Sequence, residues 1–565
     1  MRICVLQAAY PDQHPLSKHD PGADPSRFTD QHTFEHRWIR KDDAKAQIDA
    51  AISEKFDFYF NFMWGHYQDE VAGIEACEYF ESFGLPSIGM RSEVGKRSKN
   101  DFYQNARALG APRVPGTSNY PLFVKPANSC ASQFISAKSL CRNRDELLES
   151  LRILNEALEP GRKIAGGSGQ PVSTSTVVDG IAIPDDIVVQ EFIKGWDYSV
   201  VVIEVGNCPV PLTPNRYVYP KDFVPYDGFL TFDLKFHKEI ENKSLDRKDE
   251  PELFTKLQEA ALQAWNANQM AGQSWANVDF RVTADGEPVV IEVNTGMPAI
   301  FTADEAFEDI AIRKSFPGGH RALINVLIAS HLIRRKVEEN RQSQIAEIYN
   351  AFSSKYDENI TRDRVISIYE RIISLMDLSG SILDLGSGTG LFGHLLRKKT
   401  ELTPSPSKPS SHETTTLTGI ELSKGMIEKC HETGLYKQVY HGSIQTTFPS
   451  IGPFDHIISF STLYFMSPED FSLIMARLFQ LARKSIAVTI DEIPDVYNER
   501  LRELGQKYSN MTGHNHKAEM ERVYCNPPPA GWKLAETFHE LGWSSPSTKC
   551  DVHVTAYIFE RVEDE

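Results

Sequence analysis

No stretch of the 565 residues approaches the ~18 consecutive apolar side chains that a membrane span needs, so no membrane partner is expected. A cationic surplus is missing as well. Against 60 Lys and Arg stand 77 Asp and Glu, and the formal charge of -17 repels nucleic acid and anionic lipid alike. The eight cysteines are scattered without a Cys-x-x-Cys pair, so neither a zinc knuckle nor a disulfide framework is indicated. A reducing, cytoplasmic setting is the expectation. The opening run Met1–Gln7 reads as a first β-strand rather than a targeting signal, and no internal repeat is present.

What is there suits several soluble globular domains. A hydrophobic share of 41% supplies ample core, and a chain this long is too large for one domain of ~150 residues. Strand-like and helix-like runs alternate, so the fold class is α/β. Residues 1–120 read as an N-terminal α/β domain and 121–330 as a second domain. The charged, helix-patterned stretch 331–345 reads as a linker, and 346–565 as a doubly wound parallel sheet. Two stretches, Gly161–Asp179 and the Pro- and Ser-rich Glu401–Thr416, read as mobile loops.

The sharpest chemical signal lies at 275–294. Asp285-Gly286 between two alternating apolar runs is a two-residue hairpin signal. That loop pairs Ala284 with Glu287, Val282 with Val289, Asp279 with Glu292, and Asn277 with Asn294. Opposed carboxylates are destabilising unless a cation sits between them. Hard divalent ions such as Mg²⁺ (or Mn²⁺) take oxygen ligands of this kind, so Asp279, Glu292 and Asn294 are the expected metal ligands. The bland alternative is a solvated hairpin face.

These residues resemble the metal-binding strand pair of the ATP-grasp superfamily, closest to the D-alanine–D-alanine ligases, over about 1–330. The resemblance implies a pre-ATP-grasp domain, two α+β ATP-grasp subdomains and ATP as cofactor. It places ATP phosphates at Lys99, Lys125 and the loop ending at Ser132. Adenine falls to Gln190, Glu191 and Ile193, and ribose to Asp197. Lys235, on a loop closing over the triphosphate, and Asn277 take catalytic roles. Each lysine alone would more often be merely solubilising; their order along the chain makes the pattern. Two departures stand out. Asn277 replaces the family's arginine two residues before the metal aspartate, and the phosphate loop is Ala127-Asn-Ser-Cys-Ala-Ser132 rather than glycine-rich. Both point away from strict D-alanine ligation.

A second signal is Ile382-Leu-Asp-Leu-Gly-Ser-Gly-Thr-Gly390, a buried strand running into three glycines and then a helix. The spacing Gly386, Gly388, Gly390 after Asp384 is not the dinucleotide G-x-G-x-x-G pattern. It resembles the nucleotide-binding signature of class I S-adenosylmethionine-dependent methyltransferases, a Rossmann-like fold, over roughly 346–560. That implies S-adenosyl-L-methionine as cofactor, with Glu421 on ribose, Ser443 near adenine, and Ser461 in the fourth motif. Where many relatives carry an acid for the adenine amine, this chain has Gly442-Ser443-Ile444. An unrelated α/β packing turn is the alternative. Tyr349–Tyr356 resembles a lid helix, and the polar-loop histidines His514 and His516 read as solvent-exposed.

Together the two resemblances imply a bifunctional enzyme. An ADP-forming carboxylate–amine ligase would join a small carboxylic acid to an amine such as an amino acid, and a methyltransferase would act on substrate or product. The alternative keeps only methyl transfer, with the first half a weak binding module. Ligases of this type are often dimers, so a homodimer is an expectation.

Overall fold

The computed structural model describes residues 1–562 apart from 13, 19, 21, 130–131, 165–172, 221–222, 225, 233, 235–239, 296–299, 303–305, 335–338, 360–361, 403–414, 506–507 and 509. By contact density the chain divides into Met1–Glu204 with Pro209–Lys314, and Ser315–Glu565 with Val205–Cys208.

Among the described residues the first unit holds three larger sheets and the two-stranded hairpin Thr176–Val178, Ile181–Ile183. Its amino-terminal sheet is parallel, in the order Thr33–Ile39, Arg2–Ala8, Phe58–Phe62, Ser87–Gly89. The central strands Arg2–Ala8 and Phe58–Phe62 are buried along almost their whole length, as the middle of a covered parallel sheet requires, whereas the edge strand Thr33–Ile39 is polar and partly exposed; helices Ala44–Ser53 and Ile74–Glu81 bury Ile48, Ala51, Ile74, Cys77 and Phe80 with the sheet residues Cys4, Leu6 and Tyr59. Next comes helix Lys99–Leu109, fixed at both ends. Ser98 and Asp101 form a capping box, and Gly110 ends the helix at a left-handed φ of 72°.

A small antiparallel sheet follows, ordered Leu140–Cys141, Leu122–Pro126, Ile187–Glu191. Helix Arg144–Ile164 covers it through Leu147, Leu151, Leu154 and Leu158, one stripe at helical spacing. The third sheet carries the site: Glu241–Ser244, Asn215–Val218, Trp196–Val205, Trp275–Val282, Pro288–Asn294, with Cys208–Pro211 pairing at its side. Helix Pro251–Ala267 backs it with Phe254, Leu257, Ala261 and Ala264.

The second unit is built on a seven-stranded sheet, in spatial order Tyr436–His441, Thr416–Glu421, Ser381–Leu385, Phe454–Ser459, Ala482–Glu492, Asp551–Arg561, Trp532–Ser544. The first five strands are mutually parallel, Asp551–Arg561 runs antiparallel to them, and the edge strand Trp532–Ser544 runs antiparallel to Asp551–Arg561. The strand order reverses between Ser381–Leu385 and Phe454–Ser459, and open α/β sheets bind ligands at the carboxyl ends of strands at such a switch. The antiparallel last pair sets this sheet apart from the all-parallel dinucleotide fold.

Two expectations need adjustment, and a third lies mostly outside the described residues. The stretch 331–345 does not coincide with the division found by contacts. Helix Gly319–Arg334 is buried along Ala322–Ala329 and packs on helix Pro468–Leu481, where Asn325 Nδ2 donates to Ser472 Oγ at 3.2 Å. Arg321 Nε meets Glu519 Oε1 at 3.0 Å on the same helix. A charged tail reads as a linker from sequence, but the apolar helix before it needs a partner. Of Gly161–Asp179, the ends are ordered into helix Arg144–Ile164 and hairpin strand Thr176–Val178, and 165–172 lie outside the described residues. Most of Glu401–Thr416 also lies outside them.

An expected result follows for truncation. Residues 315–565 alone should be soluble and monodisperse by size-exclusion chromatography, whereas 346–565 should aggregate, because removing Gly319–Arg334 uncovers the apolar side of Pro468–Leu481. Equal behaviour of the two fragments would place the boundary elsewhere.

Candidate functional site

In the first unit the register of the hairpin decides the site. Asn277 pairs with Asn294 and Asp279 with Glu292, as expected, but Phe280 pairs with Val290, Arg281 with Val289 and Val282 with Pro288. The expected pairings of Ala284 and Val282 are therefore off by one. The loop is one residue longer than the sequence suggested: Thr283 N–H donates to Glu287 O at 3.1 Å, Gly286 N–H to Thr283 O at 3.0 Å, and Gly286 sits at φ 76°. That is a three-residue loop closed by a left-handed glycine. A β-bulge at Ile291 then absorbs the extra residue and restores the register at Glu292.

The bulge has a use. Ile291 O faces inward, 2.5 Å from the Tyr103 hydroxyl and 3.2 Å from Lys125 Nζ. Lys125 Nζ also donates to the Tyr103 hydroxyl at 3.1 Å, and Tyr103 lies 2.8 Å from Gln190 Oε1. Tyr103 is one helical turn after Lys99, so the capped helix delivers both. Lys99 Nζ contacts Glu292 Oε1 at 3.0 Å and Ser129 O at 2.7 Å. Burial pushes the Lys125 ammonium down to about 7, opposed by Glu292 and reinforced by Lys99.

Asp279 is held by two amides: Asn277 Nδ2 at 3.0 Å from Oδ1 and Asn294 Nδ2 at 2.8 Å from Oδ2. Asn277 Oδ1 is buried without a hydrogen-bond partner among the described residues. The opposed carboxylates are thus already accompanied by an ammonium and two amides, so the register alone does not demand a metal. The donor set still suits one: Asp279, Glu292 and the Asn294 amide offer oxygens on one face, and Mg²⁺ commonly takes one or two carboxylates and completes its shell with phosphate and water. Among the described residues no group of three or more His, Cys, Asp or Glu side chains could hold a metal unaided.

All of this opens on one cavity of about 830 Å³, lined by Lys99, Lys125, Ser132, Gln190, Ile193, Asp197, Asn277, Asp279, Glu292 and Asn294. Glu191 is not among its walls. The Glu191 carboxylate accepts from Asn119 N–H at 3.0 Å and Asn119 Nδ2 at 2.8 Å, pinning the 116–119 turn. Asp197, expected on ribose, is engaged by Arg281 Nη1 at 2.9 Å and by the Tyr219 hydroxyl. The cause is register: Asp197 lies directly across from Arg281 on the neighbouring strand. Lys235 lies outside the described residues. Tyr103 and Arg281 escaped sequence reading, although the spacing of Tyr103 from Lys99 was a usable signal.

In the second unit Gly386, Gly388 and Gly390 all adopt positive φ, at 81°, 52° and 86°. A Cβ on Gly386 would meet Thr462 Oγ1 at 2.4 Å, whereas one on Gly388 would come no nearer than 4.0 Å to anything. Gly388 therefore lies against open space, with its N–H donating to Glu421 Oε2 at 2.9 Å. Glu421 Oε1 accepts from Ser423 N–H at 2.9 Å, and burial raises this acid. Asp384 is buried beside the turn, where the Tyr436 hydroxyl donates to Oδ2 at 2.6 Å and burial lifts the carboxyl to about 7. Ser443 caps the short helix Ile444–Thr447, and Ser461 sits at φ 49° at the end of its strand.

The Tyr349–Tyr356 stretch spans the end of helix Glu339–Phe352 and the turn after it. Asn350 Oδ1 accepts from Ser423 Oγ at 2.7 Å and Gly425 N–H at 3.0 Å, tying that helix to the segment after Glu421. The expected exposure of the histidine pair fails at His516, which is 3% exposed. It stacks on Phe471 at 4.2 Å, and burial depresses its imidazole to about 3. A local polar pattern could not show that Phe471 would cover it.

Residues 175–328 match the family described as D-ala D-ala ligase C-terminus. No curated protein matches the chain. Among solved structures, the VanG D-Ala:D-Ser ligase from Enterococcus faecalis is 16% identical with a TM-score of 0.38, over 58% of this chain and 99% of that one. The L-amino acid ligase from Bacillus licheniformis is 14% identical with a TM-score of 0.36, over 58% and 74%. Magnesium protoporphyrin IX methyltransferase from Synechocystis PCC 6803 is 12% identical with a TM-score of 0.28, over 39% and 99%. Likenesses this distant say nothing of substrate. Among the described residues no helix is long and apolar enough to cross a membrane.

Proposed function

We propose, from the premise that this chain joins an ATP-grasp region similar to D-alanine–D-alanine ligases to a class I methyltransferase-like region, that it is a bifunctional enzyme. The first activity is an ATP- and Mg²⁺-dependent ligation of a carboxylic acid to an amine, an amino acid being the substrate class. The second is S-adenosylmethionine-dependent N- or O-methylation of the substrate or product.

The observation that carries the ligase reading is the juxtaposition, on one cavity wall, of Asp279 and Glu292 with Lys99 and Lys125. Mg-ATP would supply the phosphoryl group that turns the acid into an acyl phosphate, open to attack by the amine. Asp279, Glu292 and Asn294 would hold the metal, and Lys99 and Lys125 would offset charge on the phosphates. Asn277 lies two residues from Asp279 on the same strand face and offers an amide where relatives offer an arginine. For the second activity, Gly388 provides a backbone approach, and Glu421 an acceptor for hydroxyls.

Asn277 also favours a second reading, a methyltransferase whose ATP-grasp half binds but turns over weakly. Incubation of the full chain with ATP, Mg²⁺ and a mixture of amino acids separates the two. Ligation predicts ADP release that requires both Mg²⁺ and the mixture and stops with chelator, with amide products visible by mass analysis. ADP formation no faster than in buffer would leave the second reading standing.

A further inference from the structure

We propose that the methyl acceptor of the second unit is an amine, recognised as a cation and deprotonated by Asp491. This rests on the methyltransferase reading above and narrows its N- or O-methylation to nitrogen.

Asp491 stands near the carboxyl end of strand Ala482–Glu492, the parallel neighbour of Phe454–Ser459, hence on the side of the sheet where the glycine turn lies. It is wholly buried. Trp543 Nε1 donates to Oδ1 at 2.6 Å, while Oδ2 is buried without a hydrogen-bond partner among the described residues. Orphaned carboxylate oxygens are costly, and a structure retains one where function uses it. The link to the donor turn is short. Ser461 and Thr462 follow the Phe454–Ser459 strand; the Ser461 hydroxyl acts on Asp491, and Thr462 packs against Gly386.

The surroundings are aromatic. Tyr464 and Tyr497 each lie 5.9 Å from Trp543, ring to ring, and Phe465 lies 4.1 Å from Tyr464. Tyr349 approaches Tyr356 at 6.0 Å and Phe465 at 6.1 Å. Tyr369 and Tyr497 both feel the Asp491 charge. Tyr349, Tyr356, Tyr369, Phe465 and Trp543 are partly exposed, while Tyr464 and Tyr497 are buried in an apolar cluster on which Phe465 and Trp543 pack. The groups acting on Asp491 are Trp543, Ser461 and its own backbone, and no cation is among them for the described residues. Asp384 and Glu421 add two more acids at the same sheet end.

Ring faces and an uncompensated carboxylate attract ammonium ions, and the same carboxylate repels a carboxylate acceptor. Burial lifts Asp491 to about 7, which suits proton exchange near neutrality. An ammonium delivered there gives one proton to Oδ2. The freed nitrogen lone pair bonds the methyl carbon of the sulfonium donor as the carbon–sulfur bond breaks. That bond's electron pair stays on sulfur as a neutral thioether, and the product leaves as a methylammonium ion.

The test uses the full chain loaded with S-adenosylhomocysteine, probed by calorimetry with tetramethylammonium chloride and with sodium pivalate, an anion of similar shape. Tetramethylammonium should bind and pivalate should not. Asp491→Asn should weaken tetramethylammonium at least about 10-fold while leaving S-adenosylhomocysteine affinity intact. Wild-type affinity should also fall between pH 8 and pH 5.5 as Asp491 is protonated; Asp384, also near 7, titrates in the same window, so the part owed to Asp491 is the part that disappears in Asp491→Asn, while His516, held near 3, stays neutral. Pivalate binding in place of tetramethylammonium, or tetramethylammonium binding indifferent to Asp491, would overturn the proposal. Absence of S-adenosylhomocysteine binding would instead sink the methyltransferase reading beneath it.

Discussion

Glu292→Gln should reduce ADP formation about 100-fold or more, the scale expected when one preorganised charged group is lost from a transferring phosphoryl site. The substitution keeps the shape of the side chain and removes one metal-binding charge. Its effect on stability should be small, because two changes oppose each other. Relief of the Asp279–Glu292 like-charge pair is offset by loss of the Lys99 Nζ to Glu292 contact at 3.0 Å. Such partly exposed pairs are each worth about 0–1 kcal/mol, so Tm should shift by only a few degrees. A coupled assay for ADP and a thermal melt of the same sample read both quantities. A large drop in Tm with ADP formation intact would mark these residues as structural, and the ligase reading would go with them.

Gly388→Val should abolish donor binding in the second unit while ADP formation persists. The choice of glycine matters. A side chain at Gly386 collides with Thr462 and would report on folding, whereas a Cβ at Gly388 meets nothing nearer than 4.0 Å. Its obstruction therefore acts on a ligand approaching the backbone. Because Gly388 sits at φ 52°, valine also strains the turn by about 1–3 kcal/mol. Gly388→Asn, which tolerates that conformation better, keeps the strain apart from the obstruction. Glu421→Ala removes the acceptor for Gly388 and Ser423 N–H groups and should weaken S-adenosylhomocysteine at least about 10-fold. Calorimetry with that ligand reads all three variants. Unchanged affinity in both Gly388→Val and Glu421→Ala would remove the donor site from this turn.

Several local features were legible because they depend on neighbours in sequence. Alternation gave the strands at 275–294, and three glycines after a buried strand gave the turn at 386–390. Even the pairing of Asp279 with Glu292 could be reached, though through two errors that cancel. The loop is one residue longer than Asp285-Gly286 implies, and the bulge at Ile291 takes the extra residue back. A bulge has no simple local signature, so its carbonyl, used by Tyr103 and Lys125, was invisible.

By itself the sequence determined element types, the two glycine- and carboxylate-centred motifs, and the face on which Asp279, Glu292 and Asn294 lie, since period-2 and period-3.6 patterns are properties of the local chain. Only the tertiary structure decided what lies across from what. It placed Arg281 against Asp197, turned Glu191 toward Asn119, covered His516 with Phe471, and left Asp491 Oδ2 without a partner beside a ring of aromatic side chains. Each is a contact between segments far apart in sequence. Strand register and helix packing across such separations are set by the whole core rather than by any stretch of neighbouring residues.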